Sequence, residues 1–131
     1  MMAKQEVFDT AYEHLIKQGT QSINDNGMCV YRGFNGLMCG VGVLIKDEHY
    51  YSSLEGNSTK DESVMKALLL SGVIDDMPGE HFKENHPIIS LLVDIQHIHD
   101  TVDPMCWHRA LRITAESHKL SCPAGTDVTK L

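Results

Sequence analysis

The residues best suited to chemistry in this chain of 131 residues form the tetrapeptide His97-Ile98-His99-Asp100. Histidine and aspartate side chains are both common ligands of divalent metal ions, and here they are adjacent on a predicted helix. His99 and Asp100 are therefore the candidate catalytic residues, and His97 and His99 are candidate metal ligands. The competing interpretation is a histidine favoured by the C-terminal dipole of a helix, with Asp100 in a turn.

The same His-Asp pair resembles the centre of the HD-type metal phosphohydrolases. That resemblance implies a small metal-dependent phosphohydrolase or nucleotide-handling protein, and it requires further ligands from other segments. His81 and His86 are the upstream candidates, and Asp127 is the downstream one. The helical period places His99 beside the buried stripe and directs His97 and Asp100 outward.

Two of the four cysteines give a weaker metal signal. The chain contains no Cys-x-x-Cys pair, but Cys29 and Cys39 are expected about 5 Å apart across a predicted hairpin. They would then form half of a zinc site, completed from His97, His99 or His118, or a redox pair. The favoured alternative is that both cysteines are small buried residues that pack against helices.

A recognition surface is the main candidate that involves no reaction. Arg32 lies beside the predicted turn, and Tyr31, Tyr50 and Glu55 lie in neighbouring segments. Tyr and Arg are enriched at binding hot spots. These four residues are therefore the candidate binding residues. In the alternative, the Tyr31 ring packs on the core and Arg32 is solvated.

Charge and motifs exclude several classes of function. The net charge is −7, from 11 basic and 18 acidic residues, and the basic residues are scattered, so direct binding of nucleic acid is disfavoured. A basic protein partner is plausible, and the acidic pair Asp75 and Asp76 would contribute to such a contact. No apolar run is long enough to span a membrane. No phosphate-binding loop is present, and no cofactor is predicted. No motif of a catalytic nucleophile is present either.

The predicted fold is α+β, with about four helices packed on one β-hairpin or small antiparallel sheet. Residues 28–32 and 37–45 flank Gly33-Phe34-Asn35-Gly36, a hairpin signal, and Gly40 and Gly42 indicate a bulge or close backbone approach. Apolar periodicity predicts helices over 3–18 and 61–71, a third that starts at Pro87, and a fourth from Pro104 to about Lys119. Trp107 is predicted to be in the core. Residues 1–120 form one predicted domain, residues 121–131 a loose tail, and the hairpin edge a possible homodimer contact.

The hairpin pattern resembles a small family of uncharacterised bacteriophage and prophage proteins. The shared elements are Cys29-x-Tyr31-Arg32-Gly33-x-x-Gly36-x-x-Cys39, then Glu55-Gly56, an amphipathic helix, His99-Asp100 and a helix with Trp107. The resemblance implies a small phage product in the bacterial cytosol, of the kind that redirects host enzymes or blocks host defence. The sequence thus favours an acidic, phage-encoded binding protein that engages a host protein and is not an enzyme. The absence of an export signal favours a cytoplasmic location, in which the four cysteines would be reduced thiols.

Overall fold

The computed structural model describes residues 2–79 and 86–122. In this part of the chain there are four α-helices: α1 (Lys4–Gln18), α2 (Glu62–Leu70), α3 (Pro87–Thr101) and α4 (Trp107–Ser117). A short 3-10 turn, Pro104–Cys106, leads into α4. All four predicted helices are therefore confirmed, with ends that differ by at most three residues.

Local chemistry sets the helix ends. Gly19 ends α1 in the left-handed conformation, with φ of 68°, which glycine adopts without steric penalty. The Asp61 side chain accepts the Ser63 N–H at 2.9 Å and caps α2. At α3, Pro87 occupies the first turn, and His86 Nδ1 accepts the Ile88 N–H at 3.2 Å.

The core lies where α1, α3 and α4 pack against one another. Trp107 is fully buried there, as the sequence predicts. Its indole N–H donates to the Val102 carbonyl at 2.9 Å, which satisfies the one polar group of the side chain. α2 contributes a buried apolar face to the same core, made by Val64, Met65, Ala67 and Leu68.

The prediction of a β-hairpin over residues 28–45 is wrong. The described residues contain no β-strand, and the pairing in this region is limited to the isolated bridges Ile23–Cys29 and Arg32–Met38. The fold is therefore helical and not α+β. The predicted turn does form, because Asn35 and Gly36 have φ of 57° and 76°, as a type I′ turn requires. After the turn, the chain forms the 3-10 turn Gly42–Leu44 and does not extend as a strand.

Side chains from other segments take the place of a strand partner for residues 28–45. Gln18 Oε1 accepts the Met38 N–H at 3.0 Å, and Gln18 Nε2 donates to the Met38 carbonyl at 2.9 Å. The Glu55 carboxylate accepts the N–H groups of Tyr31 and Arg32. Since these backbone groups are already satisfied, no ladder is needed to pair them.

Two further predictions depend on regions that the structure changes or leaves undescribed. The homodimer prediction requires an exposed hairpin edge, and no strand edge exists in the described ranges, so the prediction stays untested and loses its basis. Most of the predicted tail, residues 123–131, lies outside the described residues. Ser121 is held against α1, since its N–H donates to Gln5 Oε1 at 2.9 Å. Each helix in residues 2–79 and 86–122 is too short or too polar to cross a bilayer.

Candidate functional site

A cleft of about 450 Å³ opens between α3 and two loops. We call it the α3 cleft. Its walls are the segment 29–31, the loop 55–60 and one face of α3. The residues that line it are Cys29, Val30, Tyr31, Glu55, Gly56, Asn57, Ser58, Thr59, Lys60, Val93, Gln96, His97 and Asp100. Its volume is in the range of clefts that hold small ligands.

The helical wall is organised by Gln96 and Asp100, which are one turn apart on α3. Gln96 Nε2 donates to Asp100 Oδ1 at 3.0 Å. Asp100 Oδ1 also accepts from His99 Nδ1 at 2.7 Å, and about a third of the Asp100 side chain, 37%, is exposed. Asp100 therefore presents a partly solvated carboxylate to the cleft, positioned from behind by two donors.

His99 lies behind this wall and is completely buried. Its Nε2 accepts the backbone N–H of Ser22 at 2.8 Å, so its proton is on Nδ1, where it donates to Asp100. The imidazole also stacks on Trp107, with ring centroids 5.6 Å apart. His99 thus joins the core to the cleft wall.

Cys29, His99 and Asp100 bring three potential ligand atoms within 4.8 Å of one another. A metal would need the lone pair of the His99 nitrogen that faces it, and Nδ1 carries the proton. Moving that proton to Nε2 would place an imidazole N–H against the Ser22 N–H and leave both donors unsatisfied. The hydrogen bonds around His99 therefore do not favour metal binding.

The other predicted metal ligands do not join this group. Cys39 is fully buried, and the Gly42 N–H donates to its sulfur at 3.2 Å. His97 is exposed at the cleft rim. His118 Nε2 lies 2.7 Å from Asp94 Oδ2, an ion pair when the imidazole is protonated. His86 caps the opposite end of α3, about 20 Å from His99 by helical rise, whereas His81 and Asp127 lie outside the described residues.

Neither Cys29 nor Cys39 is activated as a nucleophile. Burial, followed by the neighbouring Asp100 carboxylate, raises the pKa of the Cys29 thiol. Burial raises the pKa of Cys39 to about 12. Reactive cysteines have the opposite property, a lowered pKa beside a cation or an available base. Both His99 nitrogens are already occupied, so His99 has no free lone pair with which to deprotonate Cys29.

The four predicted binding residues do come together, around Glu55. Its Oε1 accepts the Tyr31 N–H at 2.8 Å, and its Oε2 accepts the Arg32 N–H at 3.1 Å and the Tyr50 hydroxyl at 2.6 Å. The Arg32 guanidinium lies 4.7 Å from the Tyr50 ring centroid and binds Asp47 at 2.7 Å. Burial, then the Glu55 hydrogen bond, raises the pKa of Tyr50 to about 12.

This network divides the four residues between two roles. Tyr31 and Glu55 line the cleft, whereas Arg32 and Tyr50 support them from outside it. The Tyr31 hydroxyl donates to the Asn57 carbonyl at 2.5 Å and so anchors the loop 55–60. Burial also raises the pKa of Tyr31, although the nearby Thr59 hydroxyl opposes that rise.

Sequence reasoning missed Gln96 and Thr59. Gln96 precedes Asp100 by four residues, a spacing that places both on one helix face, so this signal was available. Thr59 lies in a polar loop, and nothing in the sequence distinguishes it from its neighbours. It is brought to the cleft only by the anchoring of that loop.

No protein-family model, curated protein or solved structure matches this chain. The resemblance to phage proteins therefore stays a prediction.

Proposed function

We propose that this protein is a binding protein without catalytic activity and that its α3 cleft receives part of a partner protein. One observation supports this most strongly. The polar groups of the cleft hold one another in place, through Glu55 on one wall and Asp100 on the other, and none is set up to activate a nucleophile or a metal-bound water. A preformed cleft with a few fixed polar groups suits recognition.

Exposed apolar side chains adjoin both loops of the cleft. Met28 directly precedes Cys29 and is 64% exposed, and Tyr51 lies four residues before Glu55 and is 62% exposed. Aromatic residues and methionine are enriched in protein interfaces. They favour a protein partner over an isolated small molecule.

The identity of the partner class rests on sequence. The resemblance to phage proteins implies a host protein in the bacterial cytoplasm. The net charge of −7 adds long-range attraction to a basic surface and repels nucleic acid.

The proposal is tested by affinity capture from bacterial lysate with two matched variants. His97→Trp places a bulky ring at the cleft rim, where the exposed histidine side chain makes no hydrogen bond within the described residues. Ile113→Trp places the same ring at an exposed position of α4 that does not line the cleft. We expect a stoichiometric partner with the wild type and with Ile113→Trp, and its loss with His97→Trp.

Two outcomes would overturn the proposal. One is that no stoichiometric partner is recovered with any of the three proteins. The other is that His97→Trp retains the partner as well as Ile113→Trp does, since the cleft would then play no part in binding. Circular dichroism spectra that agree for the three proteins show that the comparison is not affected by unfolding.

A further inference from the structure

We propose that the α3 cleft binds a basic side chain, lysine or arginine, of the partner protein. This inference rests on the proposed function and names the chemistry of the group that enters the cleft. It is carried by unsatisfied acceptors and by two carboxylates in the same cavity, neither of which is seen in an ion pair with a lysine or arginine of the described residues.

The cleft walls contain polar oxygens that have no hydrogen-bond partner in the described parts of the chain. Gln96 Oε1 is buried and unpaired, because the Gln96 amide uses its nitrogen to bind Asp100. Thr59 is 3% exposed, and its Oγ1 accepts no hydrogen bond in these parts of the chain, although the Thr59 hydroxyl lies beside the Tyr31 hydroxyl. Buried polar groups of this kind are costly unless a ligand or water satisfies them.

The same walls contain the carboxylates of Asp100 and Glu55, and the groups that donate hydrogen bonds to them are neutral. Asp100 accepts from an amide and from an imidazole whose other nitrogen is itself an acceptor. Glu55 accepts from two backbone N–H groups and a phenol. Within residues 2–79 and 86–122, neither carboxylate forms an ion pair with a lysine or arginine. The lining cation Lys60 has interactions of its own.

A cation rich in N–H donors meets both requirements. A guanidinium presents five N–H groups and an ammonium three, with no acceptor that would oppose Gln96 Oε1. Hydrogen bonds from such groups to carboxylates are stronger than those between neutral groups. An anionic group would be repelled by both carboxylates, and a neutral amide would leave their charge uncompensated.

The test uses capped amino acids as probes and NMR as the readout. N-acetyl-arginine amide and N-acetyl-lysine amide represent the basic side chains, and N-acetyl-norleucine amide and N-acetyl-glutamine amide are the uncharged controls. We expect the basic probes to shift the amide signals of Gly56 and Asn57 and the side-chain amide of Gln96, with millimolar dissociation constants. The uncharged probes should bind at least about fivefold more weakly, because they lack charge-assisted hydrogen bonds.

Three variants locate the binding. Asp100→Asn keeps an acceptor for His99 and removes the charge, and Gln96→Met keeps the length of the side chain and removes the acceptor. Each should weaken the basic probes about fivefold or more. Asp94→Asn removes one charge from an exposed position of the same helix that does not line the cleft, and it should leave probe binding unchanged.

The outcomes separate this inference from the proposed function. If the cleft-dependent partner is captured but the basic probes bind no better than norleucine, the binding function stands and the basic occupant is excluded. If Asp100→Asn and Gln96→Met bind the basic probes as the wild type does, ordered water satisfies the acceptors and the inference is wrong. If the probes bind but no partner depends on the cleft, the protein source of the cation is excluded.

Discussion

At the scale of single residues, His99 shows how hydrogen bonds restrict what a side chain can do. Its residue type and its neighbour Asp100 suggest metal chemistry, and the third potential ligand, Cys29, is close. The backbone N–H of Ser22 nevertheless occupies Nε2 and thereby fixes the proton on Nδ1. The burial of His99 and its stacking on Trp107 indicate a structural role.

Replacement of His99 tests this structural role. We expect His99→Ala to lower the free energy of unfolding by about 3 kcal/mol, because it leaves a cavity beside Trp107 and an unpaired Ser22 N–H. Urea denaturation followed by Trp107 fluorescence measures the change. His97→Ala, at an exposed position on the same helix, is the control and should change stability by less than about 0.5 kcal/mol.

Metal analysis supplies an independent readout, because His99→Ala could fail to fold. Wild-type protein purified without chelator should contain far less than one equivalent of zinc, and Asp100→Asn should contain the same amount. One equivalent of metal in the wild type, lost in Asp100→Asn, would contradict the structural role and restore the metal-dependent alternative.

At the scale of elements, the segment 28–45 explains why a correct turn signal led to a wrong fold class. Asn35 and Gly36 adopt the predicted turn, but the chain after it coils. The interpretation of Gly42 as a site of close backbone approach is confirmed, since an added Cβ would lie 2.0 Å from the Tyr31 carbonyl oxygen. The absence of a side chain at Gly42 permits this approach, and the Cys39 N–H donates to the Tyr31 carbonyl at 3.1 Å, which links two parts of the segment without a ladder.

Glu55 is the side chain that most directly replaces the missing strand. We expect Glu55→Ala to lower the free energy of unfolding by about 2–3 kcal/mol, because it removes three hydrogen bonds to a carboxylate and leaves the Tyr31 and Arg32 N–H groups unpaired. Glu48→Ala removes an equal charge from an exposed position and should cost less than about 0.5 kcal/mol. Equal urea midpoints for the two variants would show that Glu55 does not hold the segment.

At the scale of the whole molecule, burial gives several acidic groups raised pKa values. Cys39 and Tyr50 both reach about 12, against ordinary values of 9.0 and 10.0, and the pKa values of Tyr12 and Tyr31 are also raised. In each case the fold favours the neutral, protonated form. The unfolded chain therefore loses these protons at a lower pH than the folded chain does.

Stability should consequently fall as the pH rises from about 9 to 12. Between the unfolded and folded pKa values the native state binds more protons, so the free energy of unfolding decreases with pH. This contribution is fully present well below pH 9 and is lost progressively as the pH rises through about 12. Urea denaturation at a series of pH values measures the decline. The decline should be shallower for Tyr50→Phe, and an identical slope for the two proteins would contradict the assignment to Tyr50.

The helices and the cleft differ in how far sequence could predict them. Each helix is signalled within its own residues, by apolar spacing and by caps such as Pro87 and Gly19. The α3 cleft is made by three segments that are distant along the chain and are joined by side chain to backbone hydrogen bonds, such as that from Tyr31 to Asn57. No local pattern encodes such contacts, so the role of Thr59 was not visible in the sequence, whereas Gln96 was signalled by its four-residue spacing from Asp100.

The sequence by itself determined the positions of the four helices, the burial of Trp107 and the acidic charge, because these follow from short-range periodicity and composition. Only the tertiary structure decided that residues 28–45 coil, that His99 is a core residue and that Tyr31 and Glu55 face a cleft with Asp100. The physical reason is the same for each. A backbone N–H or a buried imidazole takes whichever partner the folded chain brings within about 3 Å, and a partner from a distant segment leaves no local signal.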